Sequence, residues 1–374
     1  MKETRFKQTE IGLIPEDWEI SYVENECKIE TGSKNTQDKK DNGKYPFYVR
    51  SEKIERINTY SYDCEAVLTA GDGVGTGKVF HYINGKFEVH QRVYIINEFS
   101  NKLNGLFFYL YFSNNFLGRI KTMTAKSSVD SVRKDMINKM QIPLPLLYEQ
   151  EKIASALTSI NNLLLSLDKM IEKKRLIKQG AMQELLTGKK RLPGFTGEWV
   201  KRRLGEIANK ITTGKLDANA MVNGGKYPFF TCAREVYRIN TFAFDEEVLL
   251  ISGNGANVGY IHYYKGKFNA YQRTYILYDF SDDIQYIKAY LDKFLCKRIE
   301  TEKSDSNTPF IKMDTLTEMY INIPQQLEEQ KAIATVLSSM DKEIESLESK
   351  KAKYEQIKQG MMQQLLTGKI RLIS

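Results

Sequence analysis

Glycines are concentrated in one short segment of this chain, Gly71 to Lys78, and a glycine loop that ends in lysine can bind phosphate through its backbone N–H groups. The segment reads Gly-Asp-Gly-Val-Gly-Thr-Gly-Lys. A P-loop requires glycine where Asp72 stands and serine or threonine where Val79 stands. Because neither is present, we interpret the segment as a tight turn, or as a loop whose backbone closely approaches another molecule.

The other residue types that support catalysis or metal binding lack the necessary spacing. The chain has only three histidines, and none has metal-ligand spacing. Two acidic pairs, Asp63 with Glu65 and Asp245 with Glu247, are not followed by a lysine at nuclease spacing. The sequence contains no Gly-x-Ser-x-Gly motif and neither of the Asn-Pro-Pro-Tyr and Asp-Pro-Pro-Tyr motifs of adenine methylation. It therefore predicts a chain without catalytic residues, metal or cofactor.

The composition is that of a globular protein with a basic balance. The chain has 374 residues, 27% charged and 41% hydrophobic, with a formal net charge of +8. Such a charge is compatible with nucleic acid but does not by itself identify it. The first residues, Met1 to Lys7, form no apolar stretch, and the strongest apolar run, Leu106 to Phe112, is too short to cross a bilayer. With four scattered cysteines, these features predict a cytoplasmic protein with free thiols.

The elements that position these residues occur twice. Gly43–Phe47 recurs at Gly225–Phe229, and Leu185–Lys189 recurs at Leu365–Lys369. The separation of about 180 residues corresponds to a whole domain plus a connector. Short apolar runs and turn signals in each copy predict a mixed α/β domain around a twisted sheet, with one helix near Leu106–Lys121 and its counterpart near Ile284–Thr301.

Each copy ends in a long predicted helix whose apolar residues alternate at spacings of four and three, the period of a coiled-coil seam. The seam residues are Ile153, Leu157, Ile160, Leu164 and Leu167 in the first copy and Ile333, Leu337, Met340, Ile344 and Leu347 in the second. Acids at Glu149 and Glu329 lie in the first turn, where the helix dipole favours them, and Gly188 and Gly368 stand where a C-terminal cap is expected. We predict that the two helices pair as an antiparallel coiled coil within the chain. Packing of each helix on its own domain, and dimerisation through the helices, are the alternatives.

The end of the second copy echoes the end of the first. Arg371-Leu372 matches Arg191-Leu192, which leads into the second tryptophan, Trp199. The chain therefore ends where a third copy would begin, which predicts that its two ends come close together.

The repeated motifs carry a family resemblance over nearly the whole chain. They are Ile-Pro-Glu-Asp-Trp at Ile14–Trp18, the proline of Ile142–Pro145 followed by Glu149-Gln150, Ile323-Pro324 followed by Glu329-Gln330, and the repeated Leu-Leu-Thr-Gly-Lys. Together they resemble the specificity subunits of type I restriction-modification systems. The same framework also resembles the recognition subunits of some type IIB enzymes.

The resemblance implies an α/β mixed fold: two similar α+β target recognition domains separated by two long helices, with approximate two-fold symmetry. It predicts recognition domain 1 at 1–148, a central spacer helix at 149–190, recognition domain 2 at 191–328 and a C-terminal spacer helix at 329–374. Each domain would read one half of a bipartite sequence in double-stranded DNA. The helices would set the gap between the halves and dock two methyltransferase subunits, with restriction or translocase subunits as further partners.

The duplication also allows candidate DNA contacts to be sorted. Cations kept in both copies are expected to serve the shared frame or the phosphate backbone, which carries no sequence information. They are Lys44 and Lys226, Arg56 and Arg238, Lys86 and Lys267, Arg92 and Arg273, and Arg133 and Lys312. Polar residues that differ between matching loops are expected to read bases. These are Lys34, Asn35, Gln37, Arg50, Lys53, Asp72, Thr76 and Lys126 in the first copy and Lys215, Asn219, Arg234, Asn254 and Asn257 in the second.

Two hypotheses from other classes compete with DNA recognition. A coiled-coil scaffold with two protein-binding domains would give no salt-dependent shift of duplex DNA. An independent enzyme would transfer methyl groups as the lone chain.

Overall fold

The computed structural model describes residues 4–123, 131–302 and 310–373. The chain divides into two compact units: Met1–Leu167 together with Lys350–Ser374, and Asp168–Ser349. Each unit contains a six-stranded sheet and parts of both long helices.

The sheet of the first unit has one parallel pair among antiparallel neighbours. The strands of this unit are β1 (Phe6–Thr9), β2 (Gly12–Pro15), β3 (Glu19–Tyr22), β4 (Lys28–Thr31), β5 (Tyr45–Tyr48), β6 (Glu55–Ile57), β7 (Tyr62–Ala70), β8 (Phe80–Val89), β9 (Val93–Asn97) and β10 (Gln141–Leu144). Its helices are α1 (Val23–Glu26), α2 (Gly105–Met123), α3 (Lys134–Asn138) and the start of α4 (Leu147–Leu185). The sheet order is β4-β9-β7-β8-β5-β6, and β5 runs parallel to β8.

Strand β7 lies in the middle of this sheet and is covered on both faces. Val67 belongs to the core that contains α2, whereas Ala66 and Leu68 belong to a second apolar cluster on the other face. Side chains alternate between the two faces of a strand, so a strand covered on both sides needs a continuous apolar run. The run Ala66-Val67-Leu68 meets that need.

The second unit repeats this arrangement. Its strands are β11 (Trp199–Arg203), β12 (Ala208–Thr213), β13 (Tyr227–Phe230), β14 (Tyr237–Ile239), β15 (Phe244–Ser252), β16 (Ile261–Ala270), β17 (Thr274–Phe280) and β18 (Tyr320–Pro324). Its helices are α5 (Leu204–Ile207), α6 (Ile284–Thr301), α7 (Met313–Thr317) and the start of α8 (Leu327–Leu365). The sheet order β12-β17-β15-β16-β13-β14 matches the first sheet strand for strand. The predicted α/β domains and their single longer helices, α2 and α6, are confirmed.

The long helices α4 and α8 have 39 residues each, or about 58 Å at 1.5 Å per residue. All five predicted seam residues of α4 are buried; in α8 Ile333, Leu337 and Ile344 are buried, whereas Met340 and Leu347 are half-buried. Gly188 and Gly368, which follow the two helices, have left-handed φ angles of 70° and 68°, as a C-terminal cap requires.

The helices run antiparallel within each unit. In the first unit Ile153 and Leu157, near the start of α4, share a core with Leu365 at the end of α8. In the second unit Lys174 of α4 forms a 2.6 Å ion pair with Glu343 of α8. The predicted antiparallel pair is confirmed in each unit. The first alternative also holds in part, since Ile153 and Leu157 contact the core of their own α/β domain as well.

Candidate nucleic-acid interface

The glycine-rich segment of the first unit is held by backbone hydrogen bonds on two sides. The N–H of Gly71 donates to the carbonyl of Arg92 at 2.8 Å, and its carbonyl accepts from the N–H of Val132 at 2.7 Å. The Tyr94 hydroxyl donates to the carbonyl of Val132 at 3.0 Å. A Cβ at position 71 would lie 2.9 Å from the Arg92 carbonyl oxygen, so only glycine fits there without a shift. The segment is thus a structural turn, one of the two interpretations the sequence left open.

The second unit contains the same frame. Gly253 donates to the carbonyl of Arg273 at 2.9 Å and accepts from the N–H of Ile311 at 2.8 Å. The Tyr275 hydroxyl donates to the carbonyl of Ile311 at 2.8 Å. The two glycine loops are therefore held by the same set of hydrogen bonds from equivalent residues.

A second variable loop lies against the glycine loop. In the first unit a ring N–H of His81 donates to the carbonyl of Ser51 at 3.1 Å, and a Cβ at Gly75 would lie 2.5 Å from the carbonyl oxygen of Arg50. In the second unit the ring of His262 donates to the carbonyl of Ala233 at 3.1 Å. The role of this histidine pair was not predicted, although the repeat places the two residues at equivalent positions.

A third variable loop is attached through a matched glutamine. Gln91 donates its backbone N–H to the carbonyl of Lys34 and its side-chain amide to Asn35. In the second unit Gln272 makes the corresponding contacts with Leu216 and Asp217. This role of the glutamine was not predicted, although the dipeptide Gln91-Arg92 recurs in the sequence as Gln272-Arg273.

A fourth loop contains the predicted base contact Lys126, and its counterpart in the second copy is Ser304–Thr308. Both lie outside the described residues. The described residue that follows each of them contacts the glycine loop. Ser131 forms a β-bridge with Asp72, and Phe310 forms one with Asn254. In each unit, therefore, three loops that contain predicted base contacts meet at one place. The first described residue after the fourth loop contacts the glycine loop there.

The charged groups at this place differ between the units. In the first unit Arg50 Nη1 lies 2.7 Å from Asp72 Oδ1, and Arg92 Nε lies 3.7 Å from Asp72 Oδ2. The buried ring of His90 accepts the N–H of Arg92 through Nδ1 at 3.0 Å. Burial and, next, the positive charge of Arg50 lower the pKa of His90, so the ring is held in its neutral form.

In the second unit the corresponding positions carry no such acid–base group. Cys232 stands at the position of Arg50, Asn254 at that of Asp72, and Tyr271 at that of His90. The guanidinium of Arg234 instead lies over the ring of Tyr260, 5.3 Å from its centroid.

Several predicted contacts are engaged inside the protein. Thr76 is buried, and its hydroxyl donates to the carbonyl of Gly73. The side-chain amide of Asn257 donates to the carbonyl of Cys232 at 3.2 Å. Lys53 is exposed but forms a 3.2 Å ion pair with Glu55. Others extend into solvent, and the exposed candidates are Gln37, Arg50, Arg92, Arg133, Lys215, Asn219, Arg234, Arg273 and Lys312, with Lys34, Asn35, Asp72 and Asn254 half-exposed.

Two of the shared cation pairs hold the fold. Arg56 donates to the carbonyls of Gly43 and Lys44 at 3.0 and 2.8 Å. Arg238 donates to Gly225 and Lys226 at 3.0 and 3.2 Å. The matching Lys86 and Lys267 lie over the rings of Tyr60 and Phe242, at 4.7 and 4.8 Å from the centroids, and 4.0 Å from Asp63 and Asp245. Lys44 and Lys226 are exposed beside these residues.

The proline and the Glu-Gln pair that follows it, Pro145 with Glu149-Gln150 in the first unit, form the junction between sheet and long helix. The fully buried Glu149 accepts from Trp18 Nε1 at 3.1 Å and from two nitrogens of Arg371 at 2.7 and 2.8 Å. Arg371 also bonds Asp17 twice at 2.8 Å and lowers the pKa of that carboxyl. These contacts within the first unit bring the two ends of the chain together, as predicted. The acid at the helix start thus has a buried ion-pair partner in addition to the helix dipole.

The second unit contains the equivalent junction. Arg191 contacts buried Glu329 through two 2.6 Å hydrogen bonds and lies over the ring of Trp199. The side chain of Gln330 donates to the carbonyl of Pro324 at 2.8 Å and accepts from the N–H of Asp283. Gln150 makes the corresponding hydrogen bond to the carbonyl of Pro145 at 2.8 Å, so the same contact fixes the helix start in both units.

Within the described residues, no group of three or more His, Cys, Asp or Glu side chains is arranged to hold a metal ion. Nor does any described helix combine the length and apolar character needed to span a membrane.

Comparisons with known proteins agree with this architecture. A family model described as the type I restriction modification DNA specificity domain matches residues 15–178 and again 196–359. The chain is 38% identical to the specificity subunit of the type I restriction enzyme EcoDI from Escherichia coli, over 43% of this chain and 35% of that subunit. It is 27% identical to the MjaVIII specificity subunit from Methanocaldococcus jannaschii, over 99% of this chain and 97% of that one.

A solved structure of the S subunit of a type I restriction-modification system from M. genitalium shares the fold, with a TM-score of 0.70 over 97% of this chain and 98% of that one, at 16% identity. Duplicated α/β units, long helices and variable polar loops on a shared frame define a two-domain recognition architecture. The chain belongs to the family of type I restriction-modification specificity subunits and contains two of its specificity domains.

Proposed function

We propose that each unit reads one half of a bipartite target in double-stranded DNA through the loops gathered around its glycine turn. The observation that carries this proposal is the meeting of separate variable loops on an identical frame in both units. Loops that differ in polar residues on one rigid frame suit the reading of two different base sequences.

The cations shared by both units are assigned to the phosphate backbone, whereas the variable loop residues are assigned to the bases. Arg92 and Arg273 project from the frame beside the variable loops, and Arg133 and Lys312 follow the residues that bind the glycine carbonyl. Cations at equivalent positions are suited to phosphate contacts, which set the position of a domain on the duplex.

The chain itself acts as a non-catalytic recognition subunit in the cytoplasm. It directs two methyltransferase subunits, docked on its helices, to the target, and restriction or translocase subunits complete the complex. A type IIB context would use the same recognition chemistry with a different set of partners.

The test is to express the chain with its methyltransferase and to map the methylated positions across the host genome. We expect one bipartite motif with two defined halves and a fixed gap. The purified chain, alone and with the methyltransferase, should shift duplex DNA with a strong dependence on salt. Absence of both a motif and a salt-dependent shift would favour the protein-binding scaffold instead.

A further inference from the structure

Each unit has an exposed arginine on the variable loop that lies against its glycine loop, but at a different position: Arg50 in the first unit and Arg234 in the second. Arg50 of the first unit is exposed on the loop that packs against Gly75. Its Nη1 donates to Asp72 Oδ1 at 2.7 Å, which fixes one edge of the guanidinium. A guanidinium has five N–H donors, so this contact leaves the others free.

Asp72 is well placed to orient Arg50. Its other oxygen lies 3.7 Å from Arg92 Nε, and its backbone forms the bridge with Ser131. The carboxylate thus lies between two guanidinium groups, and the three side chains together keep a net positive charge. An isolated acid at a DNA-facing loop would repel phosphate, whereas an acid held between two arginines restricts their rotamers without that cost.

The second unit anchors its arginine in another way. Cys232 and Asn254 replace Arg50 and Asp72, so this ion pair has no counterpart. Arg234 lies two residues further along the same loop, with its guanidinium over the ring of Tyr260. Tyr260 is fixed in turn by an edge contact with His262, which holds the loop. A cation–π contact involves no hydrogen-bond acceptor, so Tyr260 does not use up the N–H donors of Arg234.

Resting on the function proposed above, we propose that Arg50, oriented by Asp72, and Arg234, held over the ring of Tyr260, are specificity-determining residues that each read a guanine in the major groove, one in each half-site. Arginine pairs with O6 and N7 of guanine through two parallel N–H donors. Such a contact requires a preorganised guanidinium, which the two units obtain by different means. Asp72 is a positioning residue, and Arg50 is the residue that contacts the base.

The experiment uses the chain co-expressed with its methyltransferase and compares motifs mapped for wild type and variants. Arg50→Cys and Asp72→Asn introduce the residues that the second unit carries at these positions. Arg50→Cys is expected to relax one guanine position of a single half-site by roughly 5- to 150-fold in discrimination and to leave the other half unchanged. Arg234→Ala is expected to relax one guanine position of the other half only.

Asp72→Asn is expected to relax the same position as Arg50→Cys, and the double variant should be no more relaxed than Arg50→Cys alone. Arg50→Lys, which keeps the charge but not the planar fork, should relax that position as well. Thermal unfolding and salt-dependent gel shifts on all variants measure folding and overall affinity separately from the motif.

Three results would overturn the assignment. An unchanged motif in Arg50→Lys and Arg50→Cys would remove Arg50 as a reader. Uniform loss of affinity with an unchanged motif would make it a phosphate contact. Relaxation of a different position by Asp72→Asn would mean that Asp72 itself contacts a base. A wild-type chain that directs methylation to no motif would contradict the proposed function rather than this assignment.

Discussion

At the scale of single residues, matched and mismatched positions of the repeat have different structural roles. His81 and His262, kept in both copies, hold loop carbonyls, and Arg56 and Arg238 hold others. Residues kept in both copies can therefore serve the frame that the two units share. These contacts lie within the protein and do not involve DNA. The mismatched Asp72 and Asn254 lie where the loops meet, as expected for residues that differentiate two sites.

Replacing Arg92 with alanine is expected to weaken binding to every duplex and leave the methylation motif unchanged. The side chain projects from a shared frame position, so it is assigned to phosphate rather than to a base. Loss of one phosphate contact should reduce the slope of log affinity against log salt by about 0.9. Gel shifts at several salt concentrations measure the slope, and Arg273→Ala is the matched variant. A changed motif would contradict the assignment.

His90 predicts a pH dependence of stability. Burial and the charge of Arg50 lower its pKa below the ordinary value of 6.5, with Asp72, Arg92 and Asp38 as the other charged neighbours. The folded state therefore disfavours the protonated ring. This contribution to stability is complete above the ordinary pKa and is lost as the pH falls through the lowered one.

His90→Gln keeps a hydrogen-bond acceptor for Arg92 without titrating. We expect this variant to lose less unfolding free energy between pH 7 and pH 5 than wild type, as measured by denaturant titration. His262, whose pKa burial also lowers, stays unchanged in both proteins and cancels. An equal loss in the two proteins would show that His90 does not contribute.

At the scale of elements, α4 and α8 each pack against the other helix and also into an α/β core. The seam pattern alone did not show that the same residues do both. The seam residues near each helix start, Ile153 and Leu157 in α4 and Ile333 and Leu337 in α8, pack both against the end of the other helix and into an α/β core. This double use is possible because the fully buried Glu149 and Gln150 fix where α4 begins relative to the sheet. Because α4 is anchored at its start, we predict that it sets a defined length rather than acting as a flexible linker.

Insertion of four residues after Leu164 adds about one turn to α4. We expect it to change the gap between the mapped half-sites and to leave the bases of both halves unchanged, because no recognition loop is altered. Mapping the methylated motif of the insertion variant measures both. A change within either half would show that the helix does more than set the spacing.

At the scale of the whole molecule, the first unit is built from two distant stretches of chain. The residues from Lys350 onward belong to the unit that contains the first 167 residues, and Arg371 supplies the cation for Glu149 and Asp17. The C-terminal segment thus supplies the arginine, Arg371, that pairs with the buried Glu149 of the first unit. In the second unit Arg191, which follows α4, pairs with Glu329 in the same way.

Arg371→Ala leaves the fully buried Glu149 without its cation. Breaking a buried pair from one side destabilises by about 3–5 kcal/mol, so we expect a clear fall in unfolding free energy or a separate early transition. Arg175→Ala, which breaks an exposed ion pair with Glu348, is the matched control and should cost about 0–1 kcal/mol. Equal effects in the two variants would contradict the assigned importance of the buried junction.

The sequence by itself determined the duplication, the α/β character, the two long helices, their glycine caps and the family. Those properties are periodic or repeated, and local spacing records them directly. The antiparallel pairing of the helices, by contrast, was one of three possibilities until the structure was known. Only the tertiary structure decided that Thr76, Asn257 and Arg56 form hydrogen bonds within the protein, that Arg50 pairs with Asp72, and that Arg234 lies over the ring of Tyr260. Apart from Thr76, whose partner is the nearby Gly73, these residues contact well-separated parts of the chain. The sequence therefore does not show whether a charged or polar side chain contacts water, DNA or another part of the protein.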